Sequence, residues 1–150
     1  MLGAHVENFL GSYGAVRATL RSRGYYIDAT DLRGRLEELE APVADLNTLS
    51  MLDKVARDNG FMDYADWLQV ARSVLVAERH VSDPPERGAL ESALAELKGD
   101  PFLSDTQKVR LIASLRQTQK VTAVMRPLSP NLSVVAPFAE RIRETLGFAR

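Results

Sequence analysis

The chain of 150 residues contains no cysteine, so disulfide frameworks, thiol nucleophiles and cysteine-bound metals are all excluded. It has two histidines, His5 and His80, which stand far apart, and neither has a ligand-type partner three or four residues away. A zinc site usually needs three or four ligands, so we read both as structural or surface residues and expect no metal. No glycine-rich phosphate loop and no nucleophile motif appears. No apolar run approaches the roughly 18 residues of a membrane span, and we expect no transmembrane segment. The N-terminus lacks a basic stretch followed by an apolar one, so no signal peptide is visible. The expected location is periplasmic or secreted if a leader has been removed, and cytoplasmic otherwise. Charge of either sign is not in excess: the net charge is -1 and the pI about 6.1. A nucleic-acid binder relies on clustered Lys and Arg to neutralise phosphates, so no nucleic-acid partner is expected.

What is present is an ordinary globular composition. Forty-five per cent of the residues are hydrophobic and 26% charged, which excludes a disordered chain. A chain of this length can bury roughly 68–70% of its unfolded surface and needs no staple. The expectation is a single helical domain over residues 1–150.

Apolar residues recur at helical spacing almost throughout. Val6, Phe9, Leu10, Tyr13, Val16 and Leu20 form one stripe. Gly11 and Gly14 each weaken a helix by about 1 kcal/mol relative to Ala, so the spacing predicts a break near Ser12. Ser12 then caps a second helix to Arg23, and Gly24 stops it. Tyr25 to Ala29 reads as irregular. Thr30 or Asp31 caps a short helix through Glu40, ended by Pro42.

Leu46, Leu49, Leu52, Val55 and Ala56 mark the next helix, which starts near Asp45 or Asn47 and ends before Gly60. Asp63 caps a helix from Tyr64 to about Arg79, with Met62 and Trp67 at the two hydrophobic-staple positions. After a linker over Val81 to Pro85, Asp83-Pro-Pro-Glu86 opens a helix with Leu90, Leu94 and Leu97 inward and Gly99 as its stop. Ser104-Asp-Thr-Gln107 is a capping box for a helix to about Met125, with Leu111, Ile112 and Leu115 on its inner face. Pro127 and Pro130 break the chain. Asn131 caps a last helix carrying Val135, Phe138, Ile142 and Leu146, with Gly147 at its end. Pro137 either sits in its first turn or kinks it. The fold class is therefore all-α, a compact bundle of six to seven short helices in antiparallel or orthogonal packing.

Candidate sites are sparse. Asp28 and Asp31 lie close before Glu37, Glu38 and Glu40, and paired carboxylates can serve as acid and base or hold a cation. The plainer reading is a solvated helix face with Asp31 as its cap. Asp63 and Asp66 sit at a helix start, where negative charge is favoured, so capping explains them. The helices Asn47–Asn59 and Tyr64–Arg79 have helix-turn-helix spacing. The second, however, opens on Asp63 and Asp66, which repel phosphate. Lys108, Arg110, Arg116, Lys120 and Arg126 form a basic stripe that reads first as solvated surface. Tyr25 and Tyr26, followed by Ile27, serve equally as an aromatic contact patch or as a plug over the bundle end.

Five segments carry a resemblance: Val6-Glu-Asn-Phe-Leu-Gly-Ser-Tyr13, Gly60-Phe-Met-Asp-Tyr-Ala-Asp-Trp67, Asp83-Pro84, Leu103-Ser-Asp-Thr-Gln-Lys108 and Asn131-Leu-Ser-Val-Val135. On these pieces the chain resembles a group of small, helical, uncharacterised proteins exported by Gram-negative bacteria. The group implies an all-α fold and a periplasmic setting. It implies no activity, no cofactor and no catalytic residue.

The leading expectation is a non-catalytic helical interaction module that binds a protein partner or self-associates. Its contact residues are Tyr25, Tyr26, Arg110, Arg116 and Lys120. The alternative is a carrier or sensor of a small apolar ligand held between helices and lined by Met51, Met62, Trp67 and Phe138. A carboxylate enzyme built on Asp28, Asp31 and the Glu37 cluster is the third reading.

Overall fold

In the computed structural model, residues 1–82, 89–124 and 129–148 are described, with side chains for 1–82, 92–118 and 130–148. Among them there are only helices and connecting turns, and no strand. The α-helices are α1 (Gly3–Ser22), α2 (Leu32–Glu40), α3 (Leu46–Asp58), α4 (Tyr64–Ser82), α5 (Ala89–Gly99), α6 (Asp105–Val124), α7 (Ser129–Val135) and α8 (Ala139–Leu146). A 3-10 turn at Ala136–Phe138 joins α7 to α8, so the described residues make seven helical runs. The fold is an all-α bundle, as the periodicity predicts. The contacts divide the chain into two compact units, Met1–Ser82 with Pro127–Arg150, and Asp83–Arg126.

In the first unit, α1 runs unbroken where a break at Ser12 was predicted. Gly11 and Gly14 lie on its exposed side. Its other face buries Val6, Phe9, Leu10, Tyr13, Val16 and Leu20. Two glycines cost about 2 kcal/mol together, and burial of six large apolar side chains outweighs that. Ser12 caps nothing and is itself buried.

The turn after α1 contains Gly24 in the left-handed conformation, at φ +82°, as the sequence predicts. Asp31 caps α2, its carboxylate accepting from the Gly34 N–H at 2.8 Å. Pro42 ends α2 in a 3-10 turn, Ala41–Ala44. Of the two candidates for the next cap, Asp45 is used and accepts from the N–H groups of Asn47 and Thr48. Gly60, at φ +89°, makes the turn into α4 directly against α1. A Cβ there would lie 2.8 Å from the Asn8 amide nitrogen.

Asp63 caps α4 through the Asp66 N–H at 2.8 Å, and Asp66 reaches back to the Met62 N–H at 3.0 Å. The expected staple does not form, because Met62 is 78% exposed while Trp67 is fully buried. Asn131 is not a cap: α7 starts two residues earlier and Asn131 is a buried position within it. Pro137 tightens the chain into the 3-10 turn, and Gly147 closes α8 at φ +67°. The predicted helix start at Asp83-Pro-Pro-Glu86, the end at Met125 and the break at Pro127 lie outside the described residues.

In the second unit, α5 and α6 form a helical hairpin. Ser104 and Gln107 make the predicted reciprocal capping box, with N···O distances of 2.9 and 3.2 Å. The Asp100 carboxylate accepts the Phe102 N–H in the connecting turn, and the Lys108 ammonium donates to the Lys98 carbonyl at 3.1 Å. No helix among the described residues is long and apolar enough to cross a membrane.

Candidate functional site

The interior of the first unit is built around four aromatic rings. Trp67 lies 5.2 Å from Phe9, 6.5 Å from Tyr13 and 5.4 Å from Tyr64, centroid to centroid. Polar ends in this cluster are all paired, as burial demands. The Trp67 indole N–H donates to the Ser12 hydroxyl at 2.8 Å, and that hydroxyl donates to the Phe9 carbonyl. The Tyr64 hydroxyl donates to the Leu39 carbonyl at 2.8 Å. Burial pushes this hydroxyl far above the ordinary tyrosine value, with Tyr13 and Glu40 adding to the effect. Burial also raises Tyr13, by more than the neighbouring Arg35 lowers it.

Arg35 is the residue that sequence reasoning missed. Only 5% exposed, its guanidinium holds three separate segments. It donates to the Ala29 carbonyl through Nε and Nη2, and to the Tyr13 hydroxyl and Leu146 carbonyl through Nη1. The Phe148 ring lies 4.4 Å from it. The last carbonyls of α8 carry the negative end of that helix, a favourable place for a cation. The signal was present, since Arg35 stands four residues before Leu39 and so shares its buried face. Glu78 is a second such case. Only 5% exposed, it accepts from Arg143 Nε at 2.9 Å and from the Ser82 hydroxyl. The polar groups of this centre pair with one another and fasten the helices together.

The sequence-predicted site residues are dispersed. Tyr25 is half-buried and turns its hydroxyl to Asp45 at 3.5 Å. Tyr26 is 56% exposed, with the Arg21 guanidinium 6.0 Å from its ring. Arg110 and Arg116 are exposed on α6, and the Lys120 side chain and Arg126 lie outside the described residues. Of the four suggested ligand-lining residues, Trp67 is in the filled aromatic cluster. Met62 faces solvent, Met51 is 44% exposed and Phe138 is half-buried.

The carboxylates have separate employments. Asp31 caps α2, Glu37 pairs with Arg33 in solvent, and Glu38 accepts the Ala29 N–H at 3.0 Å. Asp28 and Glu40 are exposed. The Thr48 hydroxyl and N–H hold Asp45 below the usual carboxylate range. The His5 Nδ1 accepts the Leu2 N–H at 3.1 Å. Among the described residues, no group of three or more His, Asp or Glu is placed to hold a metal ion.

The second unit differs in kind. Among its described side chains none is fully buried. Phe102 is 93% exposed, Val109 67% and Leu111 42%. Leu111 was expected to face inward, yet only Ile112 and Leu115 reach half-burial on that face. An open groove of about 390 Å³ runs between α5 and α6. Its walls are Ala93, Glu96 and Leu97 of α5 with Asp100 just past its end, and Leu111, Ser114 and Leu115 of α6. The leucine periodicity foretold two apolar faces but not that they would leave this groove unfilled. Comparison with protein-family models, with curated proteins and with solved structures finds no match for this chain.

Proposed function

We propose that this protein is a non-catalytic helical interaction module, in which the first unit is the scaffold and the α5–α6 hairpin presents the binding surface. The observation that carries this reading is the exposure of Phe102, Val109 and Leu111 on a hairpin with no buried described side chain. Large apolar side chains left exposed on a hairpin that buries none of its described side chains favour a protein partner that would cover them. Arg110 and Arg116 on the same hairpin supply the charged rim such contacts use. Tyr26, outward on the first unit, is a separate contact candidate.

The test is crosslinking in the native cells followed by native mass spectrometry. A complex of protein subunits, crosslinked through α5 or α6, is the expected result. A monomer carrying a tightly held small apolar molecule would replace this reading with the carrier reading. Alanine at Tyr26, Arg110 and Arg116 should weaken the complex, and complexes left intact by all three would reject this assignment. The resemblance to exported proteins supports a periplasmic setting for the module, which osmotic-shock fractionation checks.

A further inference from the structure

We infer that the partner of the α5–α6 hairpin is the same hairpin of a second copy of this chain, joined about a two-fold axis parallel to the helices. The inference rests on the interaction-module reading and narrows it to one partner.

The groove carries the argument. Its floor is apolar, formed by Ala93, Leu97, Leu111 and Leu115. Its α5 lip is acidic, with Glu96 and Asp100. Arg110 stands four residues before Ser114, which lines the groove, so it belongs to the α6 lip. Neither Glu96 nor Arg110 makes a side-chain hydrogen bond or ion pair. One lip is therefore negative and the other positive; Asp100 accepts the Phe102 N–H, while Glu96 and Arg110 have no such partner among the described residues.

Two face-to-face arrangements of a hairpin pair are symmetric. With the axis across the helices, α5 lies antiparallel on α5, the two turn ends point apart, and neither lip meets the opposite charge. With the axis along the helices, α5 of each copy lies antiparallel on α6 of the other. The rotation then preserves the level along the helix. Glu96 and Asp100 lie at the turn end of α5, and Arg110 at the turn end of α6. They meet across the interface twice, once for each copy. Only this arrangement lays the acidic lip on the basic one, so charge complementarity selects it. Such an interface is isologous and closes on itself as a dimer. It also covers Leu97, Leu111 and Leu115, since four helices can enclose leucines that the groove leaves open. A polyanion would meet Glu96 and Asp100 in this groove, and a basic peptide would meet Arg110.

The test is sedimentation equilibrium on the full chain, with helicity by circular dichroism as the folding control. The wild type is expected to be a dimer. Arg110→Glu, or Glu96→Arg with Asp100→Arg, should weaken dimerisation at least about tenfold, and combining the reversals should restore most of the loss. Leu111→Asp should abolish the dimer by another route. A dimer indifferent to all these changes would overturn the surface. A wild-type monomer that crosslinks to a different protein would overturn self-pairing while leaving the interaction-module reading standing. A monomer with no protein partner in its own cells would remove both.

Discussion

At the residue scale, the interior is fastened by polar groups that hydropathy assigns to the surface. Arg35 is the clearest case, because its planar fork reaches carbonyls and a hydroxyl in three segments at once. Arg35→Met should lower stability by about 3 kcal/mol, since it strips buried acceptors of a charged donor. Arg35→Lys should recover little, as an ammonium on a flexible stem cannot span the same partners. Urea unfolding measures both. Tyr13 and Tyr64 give a test in alkali. With hydroxyls raised in the folded state, they keep their protons when an unfolded chain loses them near pH 10. Stability should therefore fall as pH climbs past that value, by up to about 1.4 kcal/mol per pH unit for each tyrosine. Phenolate absorbance should show Tyr64 ionising only as the chain unfolds, and Tyr64→Phe should remove that step. Periodicity counts apolar residues, so it finds Leu36 and Leu39 and passes over the arginine beside them. Glu78 was overlooked for the same reason.

At the element scale, much of the helix punctuation was legible. Asp31, Asp63, the Ser104 and Gln107 pair, Gly24 and Gly147 all act as their residue types suggest, because caps depend on local geometry. The errors arose where tertiary packing decides. The glycines of α1 did not break it, since the buried stripe on the other side holds the helix. Both are helical, exposed and free of any atom within 4 Å of an added Cβ. Gly11→Ala with Gly14→Ala should thus stabilise the protein by about 1–2 kcal/mol, read as a higher thermal midpoint. Gly60→Ala should destabilise it, because the left-handed backbone and the Asn8 amide leave no room. Asp45 offers a pH test of one cap. Its carboxylate is held low, so its contribution is present above the ordinary aspartate value and is lost as pH falls through the folded one. Asp45→Ala should lower the thermal midpoint at neutral pH, and the deficit should shrink in acid. Asn131 misled because an asparagine after a proline resembles a cap, whereas α7 begins before it.

At the scale of the whole molecule, the two units are unequal in their interiors. The first encloses an aromatic and aliphatic core. The second, among its described residues, encloses no side chain fully. Local opening follows buried apolar contact, so the free energy of opening should differ between them. Hydrogen exchange followed by mass spectrometry should find α5 and α6 amides less protected than those of α1 and α4, and more protected as protein concentration rises. Equal protection in dilute solution would contradict that ranking. The sequence carried the all-α class because the helical period persists along the chain. The division into units was not legible, because α5 and α6 show leucine stripes like any core helix and periodicity cannot say what a stripe meets.

The position of Trp67 has an optical consequence. The chain has one tryptophan and four tyrosines, and all five precede residue 83. Between residues 83 and 126 the only aromatic is Phe102. Intrinsic emission therefore originates wholly in the first unit, with Trp67 at its packed centre, and the hairpin is dark. A denaturation curve followed by emission describes the scaffold alone, whereas far-ultraviolet ellipticity weighs every helix. The gap between those two midpoints measures how independently the hairpin opens. A sample judged native by its fluorescence can already have lost the surface proposed to bind.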